Sequence, residues 1–366
     1  MPERAARPEV PSAVRRILGA VQGFTTPLVP DDYLELVNPM WSTRELKAQI
    51  VEIRKETPDT ASVVLRPARR WPGHRPGQFM RLGVEINGVR HWRAYTITAD
   101  PRHPRGYVSV TIKAVDEGAM SSYFVHRALP GSLVYLGEVE GEFGLPDPLP
   151  SKSLFVSAGS GITPIWSLLR ELDRREGLED AIHLYSMRTD EDFIFRDLLY
   201  DIGKRHPGYQ LHVQLSSTEG RLTPARIAEL VPDWHEREAF LSGPGEMLDA
   251  LKAHWVEHGV QHRLSMERFQ PRIGGDEVEP GAGGSVYFRI TEVKGECDGR
   301  TPILVGGEQA GAQLPFGCRM GVCHTCIGRL ALGTVRDLRS GELTSEEGVM
   351  IRTCINCPEG DVEIDL

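Results

Sequence analysis

Apolar and polar positions alternate in short runs between residues 46 and 139, and the runs stop at turn-forming residues. The pattern predicts strands at 46–56, 61–66, 78–85, 89–98, 106–115 and 132–139, with breaks such as Thr57-Pro58-Asp59 and Asn87-Gly88. A period of two marks a strand with one buried face, and Asn-Gly is a strong hairpin signal. A helix over 119–128 interrupts the series. Six short strands at this spacing predict an antiparallel six-stranded β-barrel over residues 43–150.

After Pro146-Asp147-Pro148 the period changes. An apolar strand at 153–157 leads into Ala158-Gly159-Ser160-Gly161 and a helix through Arg174. Strand 181–187, helix 192–204, strand 209–215, helix 223–230, strand 238–241 and helix 244–258 follow. Such alternation predicts an α/β domain with a parallel sheet over residues 151–270. Residues 271–284 read as a Gly/Pro/acid linker, and 285–366 as a third domain with strands at 285–292 and 302–305 before a cysteine-rich loop. Residues 1–42 form an extension of proline-broken helical stretches. Within it Arg4, Arg7, Arg15 and Arg16, with Val14, Ile17, Leu18 and Val21, suggest a short basic amphipathic element.

Composition narrows the function classes. The net charge of −9, from 42 basic and 51 acidic residues, argues against a nucleic-acid partner. No apolar run approaches the roughly 18 residues of a membrane span, and the N-terminus shows no secretory leader pattern. A cytoplasmic protein is the expectation; the basic element reads first as a strap covering the barrel, with transient peripheral membrane contact as the alternative. Five of the six cysteines fall in the last 49 residues, which fits a metal centre in a reducing compartment rather than a disulfide scaffold.

The strongest chemical signal is Cys318-x4-Cys323-x2-Cys326, with Cys354 after 27 intervening residues. This is the spacing of plant-type [2Fe–2S] ferredoxins, whereas structural zinc sites usually pair two short cysteine knuckles. Gly317 and Gly321 let backbone amides approach the sulfurs. Cys297 and Cys357 are surplus and read as packing residues or partly exposed thiols. The segment LPFGCRMGVCHTC…IRTC…GDVEIDL resembles a plant-type ferredoxin domain, which implies an α+β β-grasp fold with Cys318, Cys323, Cys326 and Cys354 as metal ligands.

Two further constellations resemble the ferredoxin–NADP reductases. Arg93-Ala94-Tyr95-Thr96 lies on the fourth strand, and Gly118-Ala119-Met120-Ser121 opens a helix whose N-terminus suits a pyrophosphate. By that resemblance Arg93 pairs with flavin phosphates, Tyr95 stacks on the isoalloxazine and Thr96 bonds near its N5. Thr111, Ile112 and Lys113 line the ribityl and phosphate side. FAD is favoured over FMN. In the α/β region, Gly159, Gly161, Thr163 and Pro164 form a strand-to-helix turn suited to a nucleotide pyrophosphate. Ser242-Gly243-Pro244 stands where the family carries Cys-Gly-Pro near the nicotinamide. Glu267, in Met-Glu-Arg-Phe, would lie close to the flavin edge. Ser186 and Arg188 could hold a 2′-phosphate, which favours NADPH over NADH.

The order flavin, nicotinamide, [2Fe–2S] resembles a flavin reductase fused to its own ferredoxin. DDYLELVNPMWS, HWRAYTIT and the tail resemble NADPH oxidoreductases that feed membrane acyl-CoA desaturases. The alternatives are the reductase of an aromatic-ring dioxygenase or demethylase, and a non-catalytic redox sensor.

Overall fold

The computed structural model describes residues 30–86, 88–115, 118–269, 280–316, 321 and 324–366. The basic element near the N-terminus, the linker over 271–279, and Cys318 and Cys323 lie outside them. The first described element is a short helix, α1 (Pro30–Val37). Lys47 anchors it to the first strand through Glu35, Nζ to Oε2 2.7 Å.

Six strands follow: β1 (Leu46–Thr57), β2 (Thr60–Pro67), β3 (Phe79–Ile86), β4 (Val89–Thr96), β5 (Val108–Lys113) and β6 (Leu133–Glu140), with helix α2 (Ala119–His126) between the last two. The β1–β2 turn is closed by Asp59, whose Oδ1 accepts from the Thr57 and Thr60 hydroxyls at 2.8 and 3.0 Å. The sheet runs β4-β3-β6-β1-β2-β5 and is antiparallel throughout. A bridge between Ile97 and Val110 links the chain leaving β4 to β5, joining the two edges into a barrel. Alternate residues such as Ile50, Val63, Leu65, Met80 and Leu82 fill its interior.

The parallel sheet is built from β7 (Ser153–Ala158), β8 (Ala181–Met187), β9 (Tyr209–Leu215), β10 (Glu238–Ser242) and β11 (Leu264–Glu267). Its helices are α3 (Ile162–Arg174), α4 (Arg196–Arg205), α5 (Ser216–Glu219), α6 (Pro224–Leu230) and α7 (Gly245–Glu257). Two apolar clusters cover the two faces of this sheet, one containing Phe155, Leu168 and Phe240 and the other Leu154, Leu241 and Trp255. The order β11-β10-β7-β8-β9 places the topological switch between β7 and β10. Ligands of open α/β sheets bind at the carboxyl ends of strands at such a point.

Barrel and parallel sheet are tied together by specific bonds. The Gly77 amide donates to Ser167 Oγ on α3 at 3.0 Å, and Arg170 Nη1 donates to the Thr98 carbonyl at 2.8 Å. Lys113 bridges Asp59 and Asp192 at 3.0 and 2.9 Å. Phe143, just beyond β6, is buried in the α/β core.

In the C-terminal region β12 (Gly284–Phe288), β13 (Val293–Cys297), β14 (Ile327–Leu332), β17 (Met350–Arg352) and β19 (Val362–Asp365) form one mixed sheet. A smaller sheet holds β15 (Val335–Asp337), β16 (Leu343–Thr344) and β18 (Asn356–Pro358). Helix α8 (Ile303–Gln309) packs on β12 and β13. Three expectations are corrected. Residues 302–305 are not a strand; Pro302 caps α8, and Ile303 and Leu304 bury on its inner face. The helix expected from 192 starts at Arg196, because Phe195 holds φ 60° and Asp190–Asp192 form a separate turn closed by Thr189. The linker's last residues belong to the third region, since the Gly281 amide bonds to Gly299 and Gly283 bridges Glu359.

Candidate functional site

The parallel register lines up the expected nucleotide residues. Ser157 at the end of β7 pairs with Ser242 of β10 on one side and Tyr185 of β8 on the other. Ala158 pairs with Ser186, and Ser242 with Glu267 of β11. One row of strand ends therefore carries Tyr185, Ser157, Ser242 and Glu267, with the Ser186–Ala158 pair one residue further along.

The turn after β7 meets the demands of a phosphate site. Gly159 holds φ 52°, and a Cβ there would face open space. A Cβ on Gly161 would collide with the Ser242 carbonyl, so only glycine lets this turn lie against β10. Thr163 Oγ1 donates to the Ser160 carbonyl at 3.1 Å, and Thr163 and Pro164 are buried in the first turn of α3. Ser242 Oγ is buried with no hydrogen-bond partner, an orphaned hydroxyl of the kind a bound amide satisfies. Gly243 and Pro244 follow it into α7, with Pro244 exposed. Burial pushes the Glu267 carboxyl up to about 7, so it is still partly protonated at neutrality. Ser186 is buried, whereas Arg188 is exposed and has no acidic partner among the described residues.

On the barrel, Arg93 and Tyr95 are half-buried on β4 and Thr96 is buried beside them. Arg93 Nη1 donates to the Trp92 carbonyl at 2.8 Å, and its guanidinium has no acidic partner among the described residues. Burial raises the Tyr95 hydroxyl, so the ring is neutral. Gly118 opens α2, where Ser121 Oγ accepts from the Val115 amide at 3.3 Å and donates to the Gly118 carbonyl at 3.1 Å. Met120 is buried beneath. Thr111 is buried against Ser62, their hydroxyls 2.8 Å apart. Ile112 points into the barrel core, so only its backbone can face a ligand, and Lys113 is held in its two ion pairs.

In the third region Cys326 Sγ lies 3.0 Å from Cys354 Sγ, and the Gly321 amide points at Cys354 Sγ from 3.2 Å. Gly321 holds φ 69°. Convergent sulfurs with an amide donor suit a metal–sulfur centre. Cys357 points elsewhere, toward the Gly299 carbonyl at 3.5 Å. It and Cys297 are both buried, and burial raises both thiols, Cys297 to about 11. They are packing residues here, not partly exposed thiols.

Three family models match in the order of these regions: an oxidoreductase FAD-binding domain over 47–144, an oxidoreductase NAD-binding domain over 155–252, and a 2Fe-2S iron–sulfur cluster binding domain over 289–359. An NADPH oxidoreductase of Mycobacterium tuberculosis is 41% identical over 97% of this chain and 92% of its own. The chain belongs to the ferredoxin–NADP reductase superfamily, with a fused [2Fe–2S] ferredoxin domain. The glycine betaine monooxygenase reductase subunit of Pseudomonas aeruginosa is 28% identical to the reductase over 80% of this chain and 87% of its own. Phthalate dioxygenase reductase has the same fold, with a TM-score of 0.55 at 20% identity over 87% of this chain and 97% of that one. The reductase is thus an oxidoreductase that uses FAD, a [2Fe–2S] cluster and a pyridine nucleotide. Among its described residues no helix is long and apolar enough to cross a membrane.

A buried polar chain had no counterpart in the motif reading. Ser157 Oγ lies 2.9 Å from His183 Nε2, and His183 Nδ1 lies 2.8 Å from Tyr209 Oη. Burial pushes His183 down to about 3, so it is neutral. Beside it the Tyr185 hydroxyl donates to the Gly159 carbonyl at 3.2 Å and pins the glycine turn after β7. The one sequence signal was a histidine inside an apolar strand.

Proposed function

We propose that the reductase takes electrons from NADPH and delivers them to a membrane acyl-CoA desaturase. FAD, when bound, supplies a hydride acceptor that releases electrons singly, and the cluster carries one electron at a time. The residues divide the remaining work. Arg93 and the start of α2 at Gly118, with Met120 and Ser121 behind it, hold the flavin's phosphates, and Tyr95 and Thr96 face its ring. Thr111, the Ile112 backbone and Lys113 border the ribityl side. Gly159, Gly161, Thr163 and Pro164 receive the nucleotide's pyrophosphate. Ser242 orients the nicotinamide with Gly243 and Pro244, and Glu267 holds a proton beside it. Ser186 and Arg188 read the 2′-phosphate. Cys318, Cys323, Cys326 and Cys354 bind the iron. The working units are residues 43–150, 151–270 and 281–366.

The observation that carries the nucleotide reading is Arg188, an exposed guanidinium at the end of β8 without an acidic partner among the described residues. The desaturase reading is supported by the likeness of DDYLELVNPMWS and HWRAYTIT to the desaturase-linked reductases. It also fits the apolar surface at that segment: Leu36, Val37 and Trp41 are 76, 74 and 53% exposed. Such a patch suits peripheral contact with a membrane or a membrane-bound partner. A second reading, the reductase of a monooxygenase or demethylase, is favoured by relatives of those names. To separate them, the purified reductase and NADPH are added to membranes containing an acyl-CoA desaturase. Desaturated acyl-CoA is the expected product. No product from a preparation that still reduces cytochrome c would remove the desaturase from the account.

A further inference from the structure

The end of α7 carries a constellation that the flavin, nucleotide and cluster sites leave unused. His254, Glu257 and His258 stand at i, i+3 and i+4, on one face of the helix. One donor atom from each lies within 4.8 Å of the other two. Zinc bound at 2.0–2.2 Å in tetrahedral geometry needs donors about 3.4 Å apart, a small rotamer adjustment from this arrangement.

The two imidazoles are prepared for a cation. His258 Nδ1 lies 2.8 Å from the His254 carbonyl and donates to it, which leaves Nε2 as the lone-pair nitrogen. Metal-bound histidines characteristically fix their tautomer by such a bond. His254 Nε2 is buried and has no hydrogen-bond partner, so the ring's polar edge is unsatisfied. Trp234, 5% exposed, lies against both rings, with centroids 4.6 Å from His254 and 5.2 Å from His258. Glu257 is exposed and has no lysine or arginine partner among the described residues. The negative end of the α7 dipole adds to the attraction for a cation.

We infer that His254, Glu257 and His258 form a binding site for a divalent transition-metal ion of the zinc class. Two imidazoles and one carboxylate match the ligand preferences of such ions, with water completing the shell. The ion braces the last turn of α7 against the Trp234 corner. It sits at the opposite end of α7 from Ser242-Gly243-Pro244, so it takes no part in electron transfer.

The test is equilibrium dialysis of the oxidised holoprotein against zinc chloride at neutral pH, reading bound zinc per flavin. His258→Gln and Glu257→Gln change exposed side chains, and unchanged NADPH–ferricyanide turnover certifies their fold. Wild type should bind one zinc per flavin at micromolar free metal. His258→Gln should bind at least about tenfold more weakly, and Glu257→Gln should also be weaker. No zinc uptake by wild type, or equal uptake by wild type and both variants, would overturn the assignment.

Discussion

Replacing Glu267 with glutamine tests the polar end of the proposed nucleotide site through its charge. The carboxyl's ordinary value of 4.5 is pushed up to about 7 by burial, so the folded protein disfavours its ionised form. The unfolded chain does not. Stability from this group is therefore complete below pH 4.5 and is lost as pH rises toward 7. At pH 5 the penalty for losing the proton is about 1 kcal/mol, and at pH 8 about 3 kcal/mol, at roughly 1.4 kcal/mol per pH unit. Water reaching the half-buried carboxyl trims both values. Glutamine keeps the shape and removes the titration, so Glu267→Gln should gain about 2 kcal/mol on wild type between pH 5 and pH 8. For a unit of barrel plus α/β domain that widens the difference in Tm by about 4–8 °C. Differential scanning calorimetry of both holoproteins at the two pH values measures it. A Tm difference that stays constant from pH 5 to pH 8 would show that Glu267 ionises normally and is not the proton-holding group.

Arg188→Ala should raise the KM for NADPH about ten- to hundredfold, as expected for a charge-assisted bond of about 1.5–3 kcal/mol, with little change for NADH; equal losses in steady-state assays would remove Arg188 as the phosphate reader. Gly161→Ala should drive the nucleotide turn off the Ser242 carbonyl at a cost of about 1–3 kcal/mol, weakening NADPH in binding titrations while flavin content stays at one per chain. Cys354→Ser should lose cluster iron and cytochrome c reduction but keep NADPH–ferricyanide activity. Cys357→Ser should keep its iron, because its thiol faces the Gly299 carbonyl rather than Cys326; the opposite iron analysis would exchange the two assignments.

The barrel and the α/β region were legible because their strands follow strict patterns and their turns carry Asp59 and Gly88, each suited to its conformation. The third region was less so. Ile303-Leu304-Val305 has the composition of a strand, yet it coils. Gly306 and Gly307 bring α8 so close that a Cβ on Gly307 would strike the Phe288 ring. That contact is tertiary and leaves no periodic trace. Cofactor motifs were visible because glycine spacing and cysteine spacing are local. The Ser157–His183–Tyr209 chain was not, since each link joins residues 26 positions apart through parallel register. The i, i+3, i+4 spacing of His254, Glu257 and His258 was present in the sequence. Trp234 against them was not.

The central claim is a fixed order of electron flow, from nucleotide through flavin to cluster. Anaerobic rapid mixing of the oxidised holoprotein with NADPH, with flavin absorbance and freeze-quench EPR read on the same time base, tests it most directly. The account predicts that flavin bleaches first and that the paramagnetic signal of the reduced cluster follows. In Cys354→Ser the bleaching persists and the signal is missing. A cluster signal that reaches full height before the flavin bleaches, or without any bleaching, would contradict it.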